Sequence, residues 1–363
     1  MDRYFYFDDI FEDYTKYSLK ISKSLYLKSG LYPIIDQGKE EIAGYSNKNI
    51  NIFDKIPVII FGDHTRIFKY VDYPFFLGAD GVKILKNTSN LFLDKYLYYS
   101  LKNFKIPDTG YNRHFKWLKD FKIKYISLAK QKRITSLIEK IEFFILKKEK
   151  QLEYLKELKK SLFIRMFGDP LTNDRIEWKF SKIKNIGKII SGSTPNTNTP
   201  ELWNGDYLWI TPAELKDDSF IVNSTERKLT YLGIKKSSLI EMPIGTVLLS
   251  SRAPIGKVAI VGKNMFCNQG FKNIIPNEEI NSIYLYYILK EKKEYLNFLG
   301  RGATFKELSK EIVENISLKI PPIELQNKFA ERVEKIEKLS FEIEKSIKEA
   351  ENLYNSLISK YFD

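Results

Sequence analysis

The chain has 363 residues, a length of about two domains, and its 43% hydrophobic and 14% aromatic content excludes a disordered chain. Its formal net charge of +13 and pI near 9.3 suit a polyanionic partner such as nucleic acid, although only ten of the 59 basic residues are arginine and the wealth of Lys, Asn and Ile also fits an AT-rich coding bias. The single cysteine, Cys267, excludes both a disulfide framework and a cysteine zinc site within one chain. It points to a reducing compartment. Met1 to Lys20 holds no apolar run of the signal-peptide kind, and no window is apolar for the length of a membrane span, so a cytoplasmic location with no membrane partner is expected.

Taken in order, Asp8-Asp9-Ile10-Phe11 opens a segment of short strand and turn signals. Tyr32-Pro33-Ile34-Ile35 is apolar and runs into the polar turn Asp36-Gln37-Gly38-Lys39. Pro57 to Phe61 reads as a buried strand ended by Gly62-Asp63-His64-Thr65-Arg66. Gly78-Ala79-Asp80-Gly81 precedes a strand from Val82 to Leu85, Asp94 to Asn103 is helical, and Gly110-Tyr111-Asn112-Arg113-His114 is a polar loop. Ile123 to Ser127 leads into a long helix that Gly168-Asp169-Pro170 breaks.

The second half repeats this plan. Ile183 to Ile190 leads to Ser191-Gly192-Ser193-Thr194-Pro195, and Val247-Leu248-Leu249 before Ser250-Ser251-Arg252 matches the strand and turn at Val58. Asn268-Gln269-Gly270 matches Ala79-Asp80-Gly81, Tyr284 to Lys290 matches Tyr96 to Lys102, and Gly300-Arg301-Gly302-Ala303-Thr304 takes the place of the loop at Gly110. Ile320-Pro321-Pro322 then opens a second long helix.

Those two helices carry the repeat most plainly. Ile134 to Phe167 aligns with Phe329 to Phe362 without a gap at an offset of 195 (329 − 134), and Glu139-Lys140-Ile141-Glu142 recurs as Glu334-Lys335-Ile336-Glu337. Steps of four and three give a seam of Ile134, Ile138, Ile141, Ile145, Leu152, Leu155 and Leu162 in the first copy. In the second it is Phe329, Val333, Ile336, Ile343, Ile347, Tyr354 and Leu357. A period of 3.5 with Glu and Lys on the other faces is a coiled-coil pattern. From Ile134 to Leu162 the rise is ~42 Å.

The expected fold is α+β: recognition-sized globular domains at 1–127 and 168–320, each followed by a long helix, 128–167 and 321–363. The helices pair antiparallel as a coiled coil with pseudo-two-fold symmetry. Two heads ~40 Å apart would suit two sites on one face of duplex DNA about a turn apart.

This plan resembles the specificity subunit of a type I restriction-modification system. The resemblance covers essentially the full chain. It rests on the duplicated domain–helix order, on Ile320-Pro321-Pro322-Ile323-Glu324-Leu325-Gln326 leading to Ser359-Lys360-Tyr361-Phe362, and on Ser193-Thr194-Pro195 followed by Trp209-Ile210-Thr211. The segments around His64, Gly78 and Asn112 are similar to parts of that family's target recognition domains. The resemblance implies a non-catalytic subunit whose two globular domains each read half of a split double-stranded DNA sequence. It implies helices that fix the gap and dock two methyltransferase subunits, joined by restriction subunits. No cofactor and no metal is expected for the chain itself. Two departures are visible: the first domain lacks the second's Gly-x-Thr-Pro opening, and Ser127-Leu128-Ala129 stands where the family has a Pro-Pro pair, which predicts a looser turn into the first helix.

Bases are read by side chains with paired donors and acceptors, and phosphates are held by cations, hydroxyls and amides. Loop residues of these kinds are the candidate contacts: Gln37, Lys39, His64, Thr65, Arg66, Asn112, Arg113 and His114 in the first half, and Ser193, Thr194, Ser250, Ser251, Arg252, Asn268, Gln269, Arg301 and Thr304 in the second. Both histidines fall in these loops, but no third ligand is spaced to complete a zinc site. Catalytic alternatives lack their parts. The one Pro-Pro pair, Pro321-Pro322, is not in an Asn/Asp-Pro-Pro-aromatic setting, and Gly300-Arg301-Gly302 does not join a strand to a helix. Asp206, Glu214 and Lys216 have a nuclease-like spacing that is common by chance. The competing reading is a coiled-coil scaffold that binds only proteins.

Overall fold

The computed structural model describes residues 3–78, 81–168, 178–252, 254–300 and 307–362. The chain divides into two compact units, Met1–Lys150 with Glu344–Asp363, and Gln151–Ile343. The two long helices run from Leu128 to Phe167 and from Ile323 to Phe362, 40 residues each, so both helices contribute to both units.

In the first unit, the apolar run at Val58–Gly62 forms a strand buried at every position. It lies inside a four-stranded antiparallel sheet, between Val82–Asn87 and Phe68–Val71, with Phe11–Asp13 at the far edge. A three-stranded sheet joins Gly44–Ser46, Tyr32–Ile35 and Phe76–Leu77, the last pair parallel. Tyr4–Tyr6 closes the domain against Lys122–Lys124, just before the long helix. The second unit keeps this scheme. Its larger sheet runs Gly187–Ile190, Asn273–Pro276, Val247–Leu249, Val258–Val261 and Ile221–Val222. Its smaller one runs Arg227–Leu229, Trp203–Ile210 and Phe266–Cys267, again with a parallel last pair, and Lys179–Lys182 closes on Ser317–Ile320. The registers correspond: Ile59 faces Leu85, and Val247 faces Ile274.

The helices pair antiparallel within each unit. In the second, Lys159 bonds Glu337 while Phe163, further along, stacks edge-on against Phe329 at 5.6 Å, so one number climbs as the other falls. In the first unit the repeat-related pair is Glu142 and Tyr354, whose hydroxyl donates to the carboxylate at 3.2 Å. Glu142 also accepts from Tyr99 at 2.6 Å and Lys102 at 3.4 Å. Burial and the Glu142 bond push the Tyr99 phenol well above its ordinary value.

The seam departs from the counted pattern at one repeated position. Ile134, Ile138, Phe329 and Val333 are buried as expected, but 28 residues on it is Phe163 and Ile358 that are buried, not Leu162 and Leu357. The cause is geometric. A straight α-helix drifts about 20° per heptad from a 3.5-residue repeat, about 80° over four heptads, which is close to the turn of one residue. Both copies shift alike because each far end packs into a domain core that also holds the start of the other long helix.

Each long helix begins under a buried glutamine. Gln131 and Gln326, related by the repeat offset, are both fully buried. The Gln131 amide donates to Leu91 O and Ile126 O, both at 2.8 Å, and its oxygen accepts from Leu93 N at 2.8 Å. Gln326 donates to Glu279 O at 3.1 Å and Pro321 O at 2.8 Å, and accepts from Asn281 N at 2.9 Å. The first turn is therefore not the looser one: Ser127 O accepts from Gln131 N at 3.0 Å, and Gln131 ties the loop before helix Asp94–Asn103 as Gln326 ties the loop before Ser282–Glu291.

A buried group left without its partner costs about 1–3 kcal/mol, so Gln131→Leu and Gln326→Leu should each destabilise by about 2 kcal/mol or more in urea unfolding. Hydrogen exchange should report the two anchors separately: the Leu93 amide should lose protection in the first variant and the Asn281 amide in the second.

Candidate nucleic-acid interface

In the first unit four segments converge because their backbones interlock. Asp63 N donates to Gly81 O at 2.7 Å, and His114 N donates to Asp63 O at 2.9 Å. The buried Asp63 carboxylate accepts from Phe115 N at 2.7 Å. Glycine is required where these pieces touch. A Cβ on Gly62 would lie 2.2 Å from Thr65 Oγ1 and 2.9 Å from Gln37 Cβ, and Gly81 has φ +83° with His64 Cδ2 2.7 Å from such a Cβ. The Gln37 turn is pinned from below by Lys69, 7% exposed, which donates to Asp36 O at 2.7 Å and Glu40 O at 2.6 Å. Burial pulls that ammonium's pKa down.

The side chains then sort by exposure. His64 stacks flat on exposed Tyr111 at 4.8 Å with Nδ1 3.2 Å from Asn112 O, and its own N–H donates to Gln37 Oε1 at 3.2 Å. Thr65 Oγ1 donates to Gln37 O at 2.7 Å. Arg66, with φ +61°, reaches Asp108 Oδ2 at 2.9 Å. The Gly110 amide and the Arg66 guanidinium hold the Asp108 carboxyl below its usual value. Lys39, Thr65, Asn112 and Arg113 are exposed, and Arg66 is about a third exposed. His114 is not at this surface: it is fully buried, with Nδ1 3.0 Å from Asp63 O and Nε2 3.3 Å from Thr109 Oγ1, so it braces the loop and is withdrawn from the contact set.

The second unit builds the same brace from different residues. Ser251 N donates to Gly270 O at 2.8 Å and Leu308 N donates to Ser251 O at 2.8 Å, the counterparts of the Asp63–Gly81 and His114–Asp63 bonds. Ser250 and Ser251 are therefore fully buried and are likewise corrected to structural roles; Ser250 Oγ donates to Pro254 O at 2.8 Å. At the surface, Thr194 Oγ1 donates to Gln269 Oε1 at 2.8 Å, and Arg252 Nε lies 3.2 Å from Glu307 Oε2, which also pairs with Lys272. Half-buried Asn268 turns inward to accept from Gly270 N at 2.9 Å. Half-buried Ser193 donates to Ser237 O at 3.2 Å, and its carbonyl accepts from Trp209 Nε1 at 3.2 Å. Arg301 and Thr304 lie outside the described residues.

Sequence reasoning missed several members of these surfaces. The partners Asp108 and Glu307 lie far along the chain from their arginines, with no local signal to announce them. Arg227, 3.5 Å over the Trp203 ring and 5.5 Å from Trp209, supports the 193–194 turn through that tryptophan pair. Cys267 serves packing: burial pushes its thiol up to about 12, and a Cβ on Gly192 would lie 1.7 Å from its carbonyl oxygen.

Two loop-bearing α+β domains braced in one way, each leading into a long helix of an antiparallel pair, define a duplicated recognition scaffold. Residues 175–351 match the type I restriction modification DNA specificity domain, and the chain is similar to type I restriction enzyme specificity subunits. It is 44% identical over 157 residues to the MjaIX specificity subunit of Methanocaldococcus jannaschii, a stretch that covers 42% of this chain and 36% of that relative. It is 27% identical over 350 residues to the EcoR124I/EcoR124II specificity subunit of Escherichia coli, covering 91% and 85%. The fold matches the S subunit of the type I restriction-modification system from M. genitalium with a TM-score of 0.69 at 16% identity, over 100% of this chain and 96% of that one. Among the described residues no helix is long and apolar enough to cross a membrane.

Asp63→Ala should remove the bond to Phe115 N and destabilise by about 1–3 kcal/mol, whereas Arg113→Ala, at an exposed position, should stay within about 0.5 kcal/mol of wild type. Urea unfolding of the two variants side by side checks the division between brace and surface.

Proposed function

We propose that this chain is the DNA sequence-recognition subunit of a type I restriction-modification complex, with no catalysis of its own. Residues 1–127 and 168–320 serve as recognition domains for the two halves of a split target in double-stranded DNA. Residues 128–167 and 321–363 set the gap and dock two methyltransferase subunits, and restriction subunits join that assembly. The observation that carries the reading is the duplicated brace. The same backbone bonds present Thr65, Arg66, Asn112 and Arg113 in one unit and Arg252 and Gln269 in the other, with Lys39 and Thr194 on separately held turns. These are side chains that read base edges or hold phosphates, set on rigid supports. Because the two sets differ, the two halves of the target should be unrelated in sequence. The net charge of +13 favours the encounter with a polyanion.

Methylated-base mapping in a strain with and without the gene should show the loss of one motif made of two short parts around a fixed gap. Arg66→Ala should relax base preference in one part and Arg252→Ala in the other. If both substitutions act on the same part, the two-headed reading fails; if the methylation map is unchanged while partner subunits are active, the chain is a scaffold without DNA specificity. Binding of target duplex should also weaken steeply with salt, as phosphate contacts require.

A further inference from the structure

The first unit lacks the opening that the second carries at Ser193-Thr194-Pro195, and the structure shows what stands there instead. Strand Phe11–Asp13 occupies the edge position that Gly187–Ile190 holds in the other unit: Asp13 faces Leu85 as Ile189 faces Ile274. Counting on from those strands, Thr15, Lys16 and Ser18 take the places of Ser191, Gly192 and Thr194. Where the second unit has a small glycine-set turn, the first has a cleft of about 490 Å³ lined by Asp13, Thr15, Lys16, Ser18, Lys20 and Lys83.

Three ammonium groups against one carboxylate leave the lining two charges positive. The carboxylate is already committed: Asp13 accepts from Lys83 at 2.7 Å, from Thr15 N at 2.9 Å and from the Thr15 hydroxyl. Burial acts to raise its pKa, but the bonds from Lys83 and Thr15 outweigh it and hold the carboxyl below its usual value. Lys83 is thereby fixed as a wall, and its ammonium also lies 4.7 Å over the ring of Phe115, the residue whose amide the Asp63 brace holds. The cleft therefore abuts the candidate interface. Ser18 Oγ, in the lining, is buried and has no hydrogen-bond partner among the described residues. A buried hydroxyl without a partner in a positively charged cleft calls for an acceptor. In the second unit the lysine matching Lys83, Lys272, pairs with Glu307, and no lysine lies at the positions matching Lys16 and Lys20, which are Gly192 and Asn196.

We propose that this cleft binds one backbone phosphate of duplex DNA: Lys16 and Lys20 supply charge, Ser18 donates to a phosphate oxygen, and Lys83 forms the fixed wall. The proposal rests on the DNA-recognition reading above and adds an anchoring contact, made by the first unit alone, that positions without specifying.

The test uses the full chain assembled with its methyltransferase subunits, titrated with target duplex and with a scrambled duplex over a range of KCl. For Lys16→Gln/Lys20→Gln and for Ser18→Ala, the affinity should drop on both duplexes with the target-to-scrambled ratio kept. In the lysine variant the slope of log affinity against log salt should flatten by about one. A scan of single neutral methylphosphonates along the target should find one position that weakens the wild type and leaves the lysine variant unaffected. Coincident slopes together with identical methylphosphonate profiles would overturn the proposal. So would phosphorus NMR that finds inorganic phosphate held in the cleft while those DNA measurements coincide, because the site would then serve a free anion. A wild type that does not distinguish target from scrambled duplex would instead sink the recognition reading, with the slopes on scrambled duplex still judging the cleft.

Discussion

Everything this chain presents depends on where each long helix starts, and that is set by one buried amide per repeat. Gln131 and Gln326 each make three hydrogen bonds to backbone groups of the loop before a domain helix and of the turn before the long helix itself. A glutamine suits the task because its side chain carries donor and acceptor together, and neither is wasted in a site without water. An apolar residue would fill the space but leave the loop amides unpaired. The anchor thus converts a helix register into a domain orientation, separately in each unit.

The brace among the recognition loops follows a complementary logic. Its bonds are made by backbone atoms at Asp63, Gly81 and His114, and again at Ser251, Gly270 and Leu308. Gly81 and Gly270 are alike, but aspartate stands against serine and histidine against leucine at the other two positions, yet the joint is the same. What the two units share is support, and what distinguishes them is the exposed polar set mounted on it. The partners of the repeat-related carboxylates on the long helices differ in the same manner. Tyr99 donates to Glu142 in the first unit, while in the second Lys159 bonds the repeat-related carboxylate of Glu337.

Much of this was legible in the amino-acid sequence, and the failures have physical causes. The strand at Val58, the helix at Asp94 and the two long helices could be read because each is a periodic or continuous apolar pattern. The seam went astray at Leu162 and Leu357 because a heptad count assumes supercoiling throughout, whereas the far ends of both helices bury Phe163 and Ile358 against a domain. His114, Ser250 and Ser251 looked like contact residues because polar loop residues usually face water. Here His114 and Ser251 sit within a joint whose partners are remote in sequence, and the Ser250 hydroxyl is turned inward to Pro254 O. The cleft at Thr15 to Lys20 went unseen because it has neither glycine nor proline to mark a turn, and only the strand register relates it to Ser191-Gly192-Ser193-Thr194.

A joint fastened through main-chain atoms also bears on how such a protein changes over generations. Substitutions at Lys39, Asn112, Arg113, Thr194 or Gln269 alter an outward-facing group and leave the bonds at Asp63 and Ser251 untouched. New preferences can therefore accumulate one residue at a time while foldability is held nearly constant. Evolvability is in this sense built into the hydrogen bonds beneath the reading surface.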